Sequence, residues 1–275
     1  PDAKTPAARN TYFNNGGSLA AFSYANLSAA QKAHFDNVCN RAGQCIDLAD
    51  ADKEAANLGS NLVNYLRGDT THESATSGLK ALYRDRKHVL GDLINGAPVR
   101  VGKPPFSYGD PGYADFVATK ANRKPVVYVA ANDGMLHAFS ADTSDGGTEL
   151  WAFVPTEVMS KMYKLADKNY GVDHQYYVDG APVMADIKVG DTWKTILVGG
   201  LGLGGAGYYA LDITNPASPS LLWEFTDANL GLSVGNPVIG KRTSDGTWVV
   251  AFASGYNNSG GDGRGHLYVL NANTG

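Results

Sequence analysis

The sharpest candidates for chemistry in this chain are its two cysteines, Cys39 and Cys45, which are separated by five residues. That interval can close a small disulfide loop. Two reduced thiols are the alternative, but no nearby His or Cys completes a zinc set, so the spacing favours a bridge and with it an oxidising compartment. The six histidines, at 34, 72, 88, 137, 174 and 266, are scattered. His137 and His266 are read as the same strand position in two repeats, which favours packing. His174, beside Asp173, is read as a rim hydrogen bond rather than a proton shuttle.

The other polar motifs lead to bland readings. Leu201 to Gly207 is glycine-rich but lacks the Lys-Ser/Thr of a phosphate loop and runs into a strand, so it is read as a flexible hairpin loop. Tyr256 to Gly265 holds Asn257, Asn258, Ser259 and Asp262, oxygen donors that suit calcium, yet a single carboxylate makes a poor hard-cation site. Asn257, Asn258 and Asp262 are therefore weak metal candidates. Together with Tyr256 they are better candidates for an interaction loop. Asp50, Asp52 and Glu54 alternate without the glycine and distal glutamate of a calcium loop, and fit the N-terminus of a helix. Arg67-Gly68-Asp69 spells a tripeptide that some integrins recognise, but Gly68 has an independent role in ending a helix. Neither a Gly-x-Ser-x-Gly elbow nor a His-Glu-x-x-His pair occurs, so no catalytic residue is assigned.

These residues must be positioned by elements of two kinds. Residues 1–95 are read as a mostly helical annex, with Ala29 to Val38 opened by a Ser28/Gln31 capping box. Ala55 to Leu66 is a second helix. Gly78 to Leu90 is a third, carrying Arg84, Arg86, Lys87 and His88. From residue 96 to 275 the sequence repeats. Gly-x-Pro-Val occurs at Gly96, Gly180 and Gly235, and Trp193 and Trp248 each follow the proline by eleven residues. Trp151 and Trp223 each follow a strand-end residue, Phe139 or Leu211, by twelve. Short strands, tight turns such as Asn132-Asp133-Gly134 and a tryptophan at fixed offset describe a β-propeller of four-stranded blades. About three blades are visible, the last broken off, whereas a closed ring needs at least about four. Trp151 and Trp223 are expected to be buried between blades. An insertion at 155–178, with Val158, Met162 and Leu165 at helical spacing, is expected to be a surface helix on the rim.

Composition narrows the partners. A net charge of −4 with no basic stripe argues against nucleic acid. The longest apolar runs, such as Val126 to Ala131, are too short to span a bilayer. Pro1 lies in a polar stretch with no signal peptide, as expected of a processed or excised segment.

Several separated motifs resemble one family. Leu66-Arg67-Gly68-Asp69, Tyr83-Arg84-Asp85-Arg86 and the run Leu90 to Val99 look like the approach to the propeller of PilC/PilY-type pilus proteins. Tyr128 to Phe139, Val178 to Pro182, Ala210 to Thr214 and Leu222 to Phe225 follow in the family's order. The resemblance implies an exported Gram-negative protein of the periplasm, outer membrane and cell surface. It implies a non-enzymatic assembly factor and adhesin at the pilus tip, supporting twitching motility. Its partners would be pilin, minor pilins and a host-cell receptor. Family propellers bind calcium through an aspartate-rich loop in a later blade. No Asp-x-Asn-x-Asp run occurs here, so no cofactor is expected in this segment and the calcium site is expected outside it. Two alternatives share blade chemistry. A general outer-membrane assembly scaffold would lack the arginine-rich approach. A quinoprotein-type dehydrogenase would carry adjacent cysteines over an axial redox cofactor, and Cys39 and Cys45 are not adjacent.

Overall fold

The computed structural model describes residues 1–41, 45–46, 48–73, 81–258 and 260–275. Most of its secondary structure is β. The chain opens with a hairpin, β1 (Thr11–Asn15) and β2 (Ser18–Ala21), then α1 (Ala29–Lys32), α2 (Asp50–Asn57) and α3 (Gly59–Leu66). The first blade is a meander of β3 (Val99–Val101), β4 (Val126–Ala131), β5 (Met135–Ser140) and β6 (Glu149–Val154), with α4 (Tyr113–Thr119) inside the β3–β4 connection. The second comprises β7 (Val183–Val189), β8 (Thr192–Gly200), β9 (Tyr208–Asp212) and β10 (Ser220–Phe225). The third comprises β11 (Val238–Lys241), β12 (Trp248–Ala253) and β13 (Leu267–Asn271). The sheets do not close into a ring, and the fold is a partial propeller.

The tryptophans dock one blade on the next. Trp151 of β6 is buried and donates its indole N–H to Pro216 O of the second blade at 2.8 Å. Trp223 of β10 repeats the contact one blade on, donating to Ala272 O at 3.1 Å. A flat sheet has two apolar faces, and an indole that also places its N–H on a neighbour's backbone fixes both distance and register. Trp193 and Trp248 pack elsewhere. They lie 6.1 Å apart, centroid to centroid, and the β3–β4 connection covers them with Phe106, Tyr108, Tyr113 and Phe116.

The N-terminal region departs from a mostly helical annex. β1 pairs in parallel with β6, Thr11 opposite Ala152 and Phe13 opposite Val154, so the first sheet has six strands in the order β2-β1-β6-β5-β4-β3. The two-residue turn Gly16-Gly17, with φ of 65° and 91°, is the mirror-image turn that matches strand twist. Phe13, Phe22 and Phe35 then stack edge to face behind it.

The helices are also shorter than expected. Ser28 and Gln31 do form a reciprocal capping box, but α1 stops at Lys32, and Asn37, at φ 56°, turns the chain away. Ala55 to Leu66 is broken at Leu58, because Asp36 accepts the Gly59 N–H and starts α3 afresh.

The expected helix over Gly78 to Leu90 is absent from its described part, residues 81–90; the remainder, 78–80, lies outside the described residues. Its backbone donors are spent on distant acceptors. Leu82 and Tyr83 N–H go to His72 O, Arg84 N–H to Ala166 O, Arg86 N–H to Glu73 Oε2 and Val89 N–H to Asp2 Oδ1. Such bonds replace the i→i−4 ladder, leaving the segment irregular.

The 155–178 insertion is helical over its first half, with Thr156, Glu157 and Ser160 exposed on one face, but the helix is not α. Thr156–Ala166 winds as successive 3-10 turns whose Val158, Met159, Met162, Leu165 and Ala166 are buried. They join Phe13, Leu62, Tyr65, Trp151 and Phe153 in one core shared by the N-terminal region and the first blade.

Candidate interaction rim

In each blade the second and third strands are joined by a hairpin loop, and all three loops lie at one end, against the segments that lead into the innermost strands. In the first blade Asn132 N–H donates to Asp92 O, and Asn132 Nδ2 to Asp92 Oδ2 at 2.9 Å. The Asp92 carboxylate also meets His174 Nε2 at 3.0 Å. Burial would raise the Asp92 pKa, but these two hydrogen bonds hold it below its ordinary value. In the second blade Asp179 N–H donates to Leu201 O, and the Asp179 carboxylate accepts from Asn95 N–H and Asn95 Nδ2. In the third, Leu232 and Tyr256 exchange both backbone hydrogen bonds. The backbone pairing of Gly202 with Ser233 links the second loop to the third lead-in segment.

This bonding overturns one reading of the second loop. Leu201 to Gly207 is packed, not flexible. A Cβ on Gly204 would fall 1.6 Å from Tyr177 O, and Lys161 donates beneath the loop to Tyr176 O and Gly204 O. Burial lowers the Lys161 pKa to about 8.

The residues singled out from sequence that are described have definite places. His174 sits on the rim with Asp92. Asn257 adopts φ 63°, and Asn258 Nδ2 donates to Asn229 O and Arg264 O. Asp262 accepts from Arg264 N–H and faces His266 Nε2 at 2.9 Å. Tyr256 is exposed. Asn257, Asn258 and Asp262 thus serve the loop's own geometry. Ser259 lies outside the described residues, and no group of three or more His, Cys, Asp or Glu able to hold a metal occurs among those described.

Arg67, Gly68 and Asp69 close α3. Gly68 N–H donates to Tyr65 O, Arg67 Nη2 to Pro6 O, and Asp69 Oδ1 accepts Thr71 N–H. All three are half-buried, which leaves the tripeptide poorly presented to a receptor. Asp50 and Asp52 occupy the first turn of α2.

Cys39 and Cys45 are bonded to each other. Thiol labelling of the denatured, unreduced protein is expected to modify neither cysteine, and labelling after reduction to modify both. Two labelled cysteines before reduction would refute the bridge.

His137 and His266 are not equivalent. Ser140, Asp212 and Asn271 pair with Val126, Ile196 and Val249 at matching points, and each accepts the N–H of the residue two positions on. Counting back from them aligns His137 with Tyr209 and Tyr268, whereas His266 precedes β13. The two environments differ accordingly. His137 is fully buried, with Nδ1 2.8 Å from Glu149 Oε1 and Nε2 3.0 Å from Asp133.

Glu149 in turn accepts Arg9 Nε at 2.7 Å and Nη2 at 2.8 Å, and Arg9 Nη1 donates to Arg67 O. Burial works against a charged His137, but the carboxylates on both ring nitrogens outweigh it and raise its pKa. Burial likewise opposes the Glu149 charge, yet hydrogen bonds from Arg9 and His137 hold its carboxyl far below the usual range. Asp133, His137, Glu149 and Arg9 thus form a charge-balanced quartet joining the rim to the N-terminal segment. It was missed from sequence because its members are up to 140 positions apart. Only the Asp133/His137 spacing across a tight turn hinted at it.

The arrangement is a scaffold of docked blades with a hydrogen-bonded rim, and the chain resembles known proteins in sequence and fold. The PilY1 beta-propeller domain family matches residues 90–275. A type IV pilus biogenesis factor PilY1 homolog of Xylella fastidiosa is 44% identical over 233 residues, covering 80% of this chain and 18% of that protein. PilY1 of Pseudomonas aeruginosa strain PAK is 37% identical over 268 residues, covering 94% of this chain and 21% of that protein. The chain therefore spans about a fifth of the length of these relatives. The crystal structure of the Pseudomonas aeruginosa PilY1 C-terminal domain matches with a TM-score of 0.52 at 36% identity, over 64% of this chain and 35% of that one. By family model, sequence identity and fold alike, the chain belongs to the PilY1 family of type IV pilus biogenesis factors.

Proposed function

We infer that this segment serves type IV pilus biogenesis as a non-enzymatic binding scaffold, exported to the cell envelope and displayed with the pilus. The observation that carries this reading is the rim. Three loops of different length stand on rigid, docked blades, each braced by a lead-in segment, as in surfaces that bind rather than catalyse. The relatives named as pilus biogenesis factors support it. Pilin and minor pilins are the first partners; a host-cell receptor is the second, through adhesion. The segment works without a cofactor of its own, and calcium acts in a loop elsewhere in the whole protein. No helix among the described residues is long and apolar enough to cross a membrane.

Replacing residues 256–265 by a short Asn-Gly turn is expected to leave secretion intact and to lower the melt modestly, through loss of the Leu232–Tyr256 pairing, while reducing surface pili or adhesion. Normal piliation and adhesion in that variant would remove this loop as the contact and direct attention to the N-terminal region.

A further inference from the structure

Five large apolar side chains are exposed along the rim: Leu93 (48%), Ile94 (53%), Leu203 (39%), Val234 (50%) and Tyr256 (70%). They come from three blades, yet each lies within two residues of a bond that ties the rim together. Ile94 precedes Asn95, which holds Asp179. Leu203 follows Leu201, which accepts Asp179 N–H, and Gly202, which pairs with Ser233. Val234 follows Ser233, whose hydroxyl accepts the Leu201 N–H and lies 3.0 and 2.9 Å from Gly205 O and Gly207 O, with its one proton between them. Tyr256 pairs with Leu232. One continuous hydrogen-bonded arc therefore carries all five to the same end of the molecule, on backbone fixed before any partner arrives. Exposed apolar groups gathered in this way mark contact surfaces, and a preformed surface loses little entropy on binding.

The charges around the arc select the partner. Asp92, Asp173, Asp227 and Asp262 are exposed beside it and outnumber the exposed cations there, Arg264 in the third loop and Arg41, which shares a cavity with Asp173. The Asn229 N–H and then the Tyr268 hydroxyl keep Asp227 below its ordinary pKa, and His266 and then the Arg264 N–H do the same for Asp262, so both remain ionised. An acidic border repels anionic lipid headgroups and nucleic acid, and attracts lysine and arginine.

We propose that this arc is the docking surface for a protein segment that presents aliphatic side chains flanked by lysine or arginine. The proposal rests on the scaffold reading above and adds the chemistry of the partner.

A peptide library displayed on phage and panned against the whole chain tests it. Enriched peptides are expected to combine aliphatic residues with Lys or Arg. Binding of a selected peptide is expected to fall roughly tenfold in Leu93→Ser/Val234→Ser and again with salt raised from about 50 to about 500 mM. The melt of that variant should match the wild type, because both side chains are half-exposed. No enrichment, acidic peptides, or binding indifferent to the serine variant would each overturn the proposal. So would co-sedimentation with phosphatidylglycerol vesicles that the serine variant abolishes, which would assign the patch to membrane. Piliation is scored separately in cells. Peptide selection with normal piliation in the serine variant would keep the docking surface and overturn its role in the pilus.

Discussion

Trp151→Ala is expected to lower stability by about 3–5 kcal/mol, among the largest effects of any single substitution in this chain. The indole is fully buried between the first and second blades, packs 5.6 Å from the Tyr128 ring and donates to Pro216 O. Truncation removes apolar contact, opens a cavity and leaves a backbone carbonyl without its donor. Trp223→Ala makes the equivalent change one blade on, but Trp223 belongs to the smaller core between the second and third blades. Its cost is expected at the lower end of that range. Denaturant titrations read by fluorescence and by far-UV circular dichroism measure both, and coincidence of the two probes checks that a single transition is being followed. A loss below about 1 kcal/mol for Trp151→Ala would mean that blade docking does not depend on the indole.

Glu149→Gln is expected to cost a comparable amount, about 3–5 kcal/mol, because it leaves Arg9 and His137 buried without their shared counter-charge. Its side-chain exposure is 2%, and that of Arg9 is 1%, so water does not substitute for the lost carboxylate. The pH dependence identifies the cause. The Glu149 pKa is depressed in the folded protein, so its contribution is complete above its ordinary value of 4.5 and is lost as pH falls toward the folded value. The His137 pKa is raised, so its contribution is complete below its ordinary value of 6.5 and is lost as pH rises through the folded value. The quartet therefore contributes most between about pH 4.5 and 6.5. Melting temperatures of the wild type should decline on both sides of that window. Glu149→Gln should flatten the acid side, and His137→Gln the alkaline side. A variant whose profile keeps the wild-type shape at a lower stability would show that the residue acts through packing alone.

The blades were legible in sequence because their determinants are local. Alternating strands, Gly-bearing turns and the two twelve-residue intervals to Trp151 and Trp223 each lie within a single repeat, and docking of one repeat on the next follows from their shared pattern. The Ser28 capping box was legible for the same reason: its two hydrogen bonds span three residues. The Gly16-Gly17 turn was equally local and was overlooked, since the strands beside it are short and the following stretch suggested helices. Of the candidate site, the hairpin loops and Tyr256 were visible in sequence. The lead-in segments that brace them, and Leu93, Ile94, Leu203 and Val234 on the arc, were not.

By itself the sequence determined the family, the blade repeat, the docking tryptophans and the lack of a recognised catalytic motif, all of which are encoded in residue types at short, regular spacing. Only the tertiary structure decided where the irregular segments go. β1 became a blade strand because its backbone found β6 more than a hundred residues away. Residues 81–90 stayed irregular because His72, Ala166, Glu73 and Asp2 claimed their amides. Val158 and Met162 entered the core because the first blade and α3 left a space to fill. Asp133, His137, Glu149 and Arg9 became a quartet because three separate segments converge on one dry site. Contacts of that kind have no period, so no pattern along the chain announces them, and their energy is realised only once the distant partner has already been folded into place.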